Sequence, residues 1–187
     1  MKNVTNRVNL ASAVALMALC VIPSGKLLAF DASSVVQVQV TGTIIASSCQ
    51  VEVPQEVSLG QISRQDLSVP GGNSSTMVVA LKLSQCSPQL TRATVSFTGM
   101  PYTDDPAYAN AIYANEMADG AKDIGLQLFN IDGKALVNLA NGVSYSFPVQ
   151  TETHAGLLSI GARMYSPHGT PTAGDFKSAV TVNFTYQ

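Results

Sequence analysis

The sequence predicts an all-β fold, a sandwich of immunoglobulin-like type, on three observations. About eight or nine short segments alternate apolar and polar residues at intervals of 8–15 residues, turn residues separate them, and no sustained helical period intervenes. Two cysteines, Cys49 and Cys86, remain once an export leader is set aside. The final segment from Ala179 alternates strictly, with Val180, Val182, Phe184 and Tyr186 on one face and Thr181, Asn183 and Thr185 on the other. That alternation suits an ordinary closing strand of a sandwich.

The chain opens on a leader. Lys2 and Arg7 precede an apolar run from Leu10 to Ile22, broken only at Ser12, and Pro23-Ser24-Gly25 follows. This is the layout of a secretory signal peptide. The 13-residue run is too short for a membrane span, which needs about 20 apolar residues. The expected leader is residues 1–32, with cleavage between about 24 and 32. Cys20 lies inside it, behind Leu19, where a lipoprotein signal wants a small residue.

Export permits oxidation, so Cys49 and Cys86 are expected to be bonded; two free buried thiols are the alternative. In the chain-entropy account such a link restrains the unfolded state by about 3–4 kcal/mol. With no histidine near them, the pair makes a poor zinc site. Of the 10 basic and 12 acidic side chains, the leader removes Lys2, Arg7, Lys26 and Asp31, leaving 7 and 11 and a formal charge of −4. No basic cluster offers itself to phosphates, so no nucleic-acid partner is expected.

From Ser34 to Ala46 one parity class reads Val36, Val38, Val40, Gly42, Ile44 and the other Val35, Gln37, Gln39, Thr41, Thr43. A first strand with one wet face is the plain reading. Gln50–Val53 alternates and stops at Pro54, and Val57–Ile62 alternates again, completing a short pair or a broken first strand. Residues 63–75 carry Pro70-Gly71-Gly72-Asn73 and read as a loop. Met77, Val79, Leu81 and Leu83 share a strand face leading to Cys86, and Ala93, Val95 and Phe97 make the next core face.

Residues 100–122 break the rhythm with Pro101, Pro106, three tyrosines and several acids. The Asp-x-Asp-x-Asp-Gly order of a calcium loop is missing, so no metal is expected. A solvated loop with a helical turn is the reading; exposed Tyr102, Tyr108 and Tyr113 are the alternative, as a ligand surface. Ile124–Phe129 is a strand, Asp132-Gly133 a hairpin turn, and Ala135–Leu139 the return strand. Val143, Tyr145 and Phe147 share a face, as do Leu158, Ile160, Ala162 and Met164 in the penultimate strand. A turn through Pro167 and Gly174 leads into the last strand.

Enzyme readings find no support in the residues. Only two histidines exist, His154 and His168, both beside turns and read as surface residues. No nucleophile elbow, zinc-protease helix or phosphate loop is present, and two histidines are too few for a copper–zinc dismutase centre. No catalytic residue, metal or cofactor is expected.

Five features in this order are similar to the chaperone–usher pilins, subunits of type 1-like fimbriae. They are Gly42 seven residues before Cys49, the Cys49–Cys86 pair, the Gly125–Leu128 segment, Gly174 fourteen residues from the end, and the penultimate Tyr186. The resemblance spans essentially the whole chain after the leader and implies an incomplete immunoglobulin-like sandwich, lacking its seventh strand and completed by a donor strand from a partner. It implies that residues 33–45 are an N-terminal donor extension and 46–187 the pilin domain. Val36, Val38, Val40, Gly42 and Ile44 would enter a neighbour's groove, while Gly174, Val180, Val182, Phe184, Tyr186 and Gln187 would form the acceptor and chaperone-binding strand. The implied partners are a periplasmic chaperone that holds the Gln187 carboxylate, an outer-membrane usher and neighbouring pilins. The implied function is that of a structural subunit of a surface fimbria, minor or adaptor in type with a major rod subunit as the alternative, contributing to adhesion after export through the periplasm. The competing reading is a self-contained periplasmic β-sandwich that binds a ligand through residues 100–122.

Overall fold

Nine strands build the described part of the chain, which comprises residues 39, 41–42, 48–133 and 136–187 of a computed structural model. The expected leader, residues 1–32, lies outside these residues, as do Val36, Val38, Val40 and Ile44; Gly42 is exposed.

The first sheet orders β1 (Gln50–Glu52), β3 (Met77–Ser84), β8 (Gly156–Ser166), β6 (Gly125–Asn130) and β5 (Tyr113–Ala114), with β2 (Gly72–Asn73) also on β8. The second orders β7 (Ser144–Pro148), β4 (Arg92–Gly99) and β9 (Val180–Tyr186). Every strand pairing is antiparallel. In immunoglobulin terms β1, β3, β8 and β6 stand as A, B, E and D, β4 and β9 as C and F, and β7 lies outside C. The place of the last strand, G, is beside β9, and no described strand occupies it.

Alternation assigns the core. Val79, Leu81 and Leu83 of β3, Leu158, Ile160 and Ala162 of β8, and Ala93, Val95 and Phe97 of β4 pack inward as one cluster. Met77, placed by its parity on the same face, is 42% exposed at the strand's start. Cys49 and Cys86 are bonded, with their Cα atoms 4.1 Å apart. The Ser87 N–H donates to the Ser48 carbonyl at 3.0 Å just beyond the link, so pairing of the two chains continues past the disulfide.

Four expectations are corrected. Residues 57–62 are not a strand. Pro54 removes a ladder donor and Gly60 turns the chain at φ +73°, with the Ser58 hydroxyl accepting from the Gly60 N–H. Residues 136–139 form no return strand either: only Asn138 bridges to Phe129, and the Asn130 side chain takes the Val137 N–H at 2.6 Å. Residues 63–75 are less irregular than a plain loop, because Ser63 caps a 3-10 turn over Arg64–Leu67 and Gly72–Asn73 pairs with β8. In the 100–122 segment the helical turn exists at Pro106–Tyr108, but Tyr102 and Tyr113 are buried, not displayed. The Tyr113 hydroxyl donates to the Leu139 carbonyl at 2.7 Å. That buried partner makes an inward tyrosine tolerable, and of the three tyrosines only Tyr108 stays partly exposed.

Candidate functional site

The register of β9 on β4 determines which of its backbone groups remain free. Gln187 donates to Arg92 at 3.0 Å and accepts from it at 3.3 Å, so this pair exchanges both bonds. In an antiparallel ladder such pairs recur at every second position. Thr94–Thr185, Ser96–Asn183 and Thr98–Thr181 are therefore also bonded pairs. The N–H and C=O groups of Val180, Val182, Phe184 and Tyr186 consequently point away from β4, toward an edge where no described strand pairs.

The same four residues turn their side chains inward. Their exposure alternates along β9, half-buried at Val180, Val182, Phe184 and Tyr186 and exposed between them. All four pack against the core cluster without being enclosed by it. Burial raises the Tyr186 hydroxyl above its ordinary pKa. On the opposite bank runs the irregular chain of residues 53–62, where Val53, Leu59 and Ile62 are also only half-buried. Between residues 53–62 and the start of β9 at Val180 and Val182 lies a groove of about 1230 Å³, floored by Leu81, Leu128 and Ile160, and Phe184 lines a second recess with Val51 and Val53. A groove with an apolar floor and a row of backbone groups that no described strand pairs thus share one edge. A single extended chain with alternating apolar residues answers both.

Gly174 lies before β9, on the groove's rim. A Cβ there, at φ +155°, would sit 2.7 Å from the Ala121 backbone nitrogen, so only glycine permits this approach. Gln187 is held through its backbone by Thr91 and Arg92.

A polar cluster that the sequence reading missed ties the loops at one end of the sandwich. His168 places Nδ1 2.7 Å from Asp123 and Nε2 3.0 Å from Asp105, and only the imidazolium donates both bonds. Those bonds, to Asp123 first and Asp105 second, raise the His168 pKa. Burial opposes the Asp123 charge, yet donation from the Thr170 N–H, His168, the Thr170 hydroxyl and Ser166 holds its carboxyl below the usual range. The Ala107 N–H and then His168 lower Asp105. Burial first, then the nearby Asp104 and Asp123 charges, pushes Tyr102 up to about 12. No sequence signal joins residues 105, 123 and 168, because the cluster exists only where three loops meet. Among the described residues no cluster of His, Cys, Asp and Glu has the makings of a metal site.

Comparison with known proteins places the geometry in a family. The family model described as fimbrial protein matches residues 38–187. The chain is 29% identical over 154 residues to long polar fimbria protein A of Salmonella typhimurium, covering 80% of this chain and 83% of that protein. It is 26% identical over 151 residues to fimbrial subunit type 1 of Klebsiella pneumoniae, covering 78% and 80%. Among solved structures, the P pilus rod subunit PapA aligns with a TM-score of 0.57 at 18% identity, covering 74% of this chain and 99% of PapA. The last likeness is one of fold.

Proposed function

The chain belongs to the fimbrial protein family and is a structural fimbrial subunit, and on that premise we propose that it polymerises by lending one strand and accepting another. The observation that carries this reading is the coincidence on β9 of free backbone groups and uncovered apolar side chains, beside a groove of about 1230 Å³. Left open, such an edge invites indiscriminate pairing, and a sandwich of long-range contacts folds slowly enough to expose it. A periplasmic chaperone therefore covers the groove first, pairing along Val180–Tyr186, and at the outer-membrane usher a neighbouring subunit's extension replaces it. Donor-strand complementation of pilins is a standard instance of β-strand addition.

The proposed donor is the stretch of Val36, Val38, Val40, Gly42 and Ile44, following a leader that ends between about 24 and 32. Four buried aliphatic side chains at about 1.5–3 kcal/mol each contribute roughly 6–12 kcal/mol before ordering costs. With both a donor stretch and an acceptor edge, the chain reads as an inner member of the fibre, of minor or adaptor type, at the cell surface. Its role is structural rather than catalytic.

The test compares thermal unfolding of residues 46–187 alone with the same chain carrying residues 34–46 joined after Gln187 by a flexible linker. A large rise in melting temperature is expected. Equal and already high stability in both would show a sandwich that needs no added strand, and would end this reading.

A further inference from the structure

The edge that β9 presents continues upstream of the strand itself. Residues 175, 177 and 179 have the same parity as Thr181 and Asn183, and they bond toward the same side, where residues 115–121 take over from β4. The Ala121 N–H donates to the Asp175 carbonyl at 3.0 Å and the Glu116 N–H to the Lys177 carbonyl at 2.7 Å. The Lys177 N–H donates to Asn115 Oδ1 at 3.0 Å, and the Ala179 N–H to Glu116 Oε1 at 2.8 Å.

Asn115 is the centre of this buckle. Its amide nitrogen donates to the Ala121 and Asp175 carbonyls, both at 2.9 Å, while Oδ1 also accepts the Met117 N–H at 3.2 Å. Four backbone groups from two segments converge on one half-buried side chain. Two glycines let the segments approach: a Cβ at Gly120 would sit 2.5 Å from the Asp175 carbonyl oxygen, and Gly174 meets Ala121 as described above.

With one side paired to the buckle, the alternation of β9 extends back without a break. Phe176 and Ser178 are half-buried between exposed Asp175, Lys177 and Ala179, and Phe176 packs against the core beside the groove. Their N–H and C=O groups face the same free edge as those of Val180.

We propose that Asn115 and Glu116 are positioning residues that hold residues 175–179 extended, so that the edge offered to an incoming strand runs from Phe176 to Tyr186 instead of starting at Val180. This rests on the strand-accepting function above and deepens it. The acceptor gains two alternate positions, one large and apolar at Phe176 and one small at Ser178. A strand long enough to span all six positions is held at both ends of the groove.

The experiment is amide hydrogen exchange on the full exported chain, with and without an excess of a synthetic peptide of residues 34–46. Exchange at Phe176 and Ser178 is expected to slow by about tenfold or more, together with Val180, Val182, Phe184 and Tyr186. Protection of the last four alone overturns the extended edge and leaves strand acceptance standing. Protection of none of the six refutes strand acceptance itself. In Asn115→Ala, peptide protection is expected to vanish at Phe176 and Ser178 and to persist from Val182 to Tyr186. Unchanged protection at Phe176 and Ser178, or its loss along the whole edge, overturns the positioning role. Glu116→Ala is expected to speed exchange at Ala179, and Glu116→Gln, which keeps the accepting oxygen, to restore it; failure of that rescue removes Glu116 from the buckle.

Discussion

β4 and β9 lie side by side, carry the same alternation and pair with each other, yet their fates differ. β4 has a neighbour on each edge, and its Ala93, Val95 and Phe97 are 0% exposed. β9 has one neighbour among the described strands, and Val182, Phe184 and Tyr186 stay half-buried although they face the same core. Period 2 decides which face of a strand is apolar. It does not say how many strands flank it, and that number separates a core strand from a docking edge.

Truncation separates the two strands most sharply. Phe97→Ala is expected to destabilise the domain by about 3–5 kcal/mol, whether or not a donor strand is present, as read by denaturant unfolding. Phe184→Ala should cost clearly less in the free domain and more once the donor peptide is bound, because only then is the ring enclosed. Equal costs for the two phenylalanines in the free domain would mean that β9 is already covered.

Charge at the proposed donor stretch is the next lever. Val38→Asp combined with Val40→Asp should leave the chain's own unfolding unchanged and abolish its capping of a neighbouring subunit, measured by co-purification. Loss of its own fold would make that stretch an internal strand, and the contrast between β4 and β9 would lose its basis. Tyr186→Ala should have a smaller effect, lowering the chaperone-bound yield in the periplasm. An unchanged yield removes that side chain from the interface.

The smallest effect is expected where neither strand reaches, at His168. Its folded pKa lies above the ordinary 6.5, so its contribution is complete below that value and is lost as pH rises through the folded pKa. Asp105 and Asp123 are lowered from 3.8, so theirs is present above that value and is lost as pH falls through their folded pKa values. The melting temperature should therefore decline slightly as pH rises above 6.5, and His168→Asn should flatten that decline. An identical slope in the variant removes the cluster from the pH response, leaving the two strands as the sources of stability that matter.

Much of this was legible in the residues. The inner face of β4, the long penultimate strand, the Cys49–Cys86 link and the strand from Val180 all follow from local alternation and from cysteine usage in a chain read as exported. Errors arose where local pattern met no partner. Residues 57–62 alternate but no described strand pairs with them, and Ala135–Leu139 follows a good turn signal while the Asn130 side chain intercepts the ladder. Tyr113 lies in a loop-like segment and is nonetheless buried, because a carbonyl at Leu139 receives its hydroxyl.

The sequence by itself determined the all-β class, the faces of the strands, the disulfide and the family likeness, because each depends on residues near one another in the chain or on the pairing of the two cysteines that follow the expected leader. Only the tertiary structure decided that no described strand pairs the outer edge of β9, that Asn115 ties residues 115–121 to 175–177, and that His168 bridges two aspartates. Each of those depends on which distant segments meet, such as residues 115–121 with 174–179, and no local period records that.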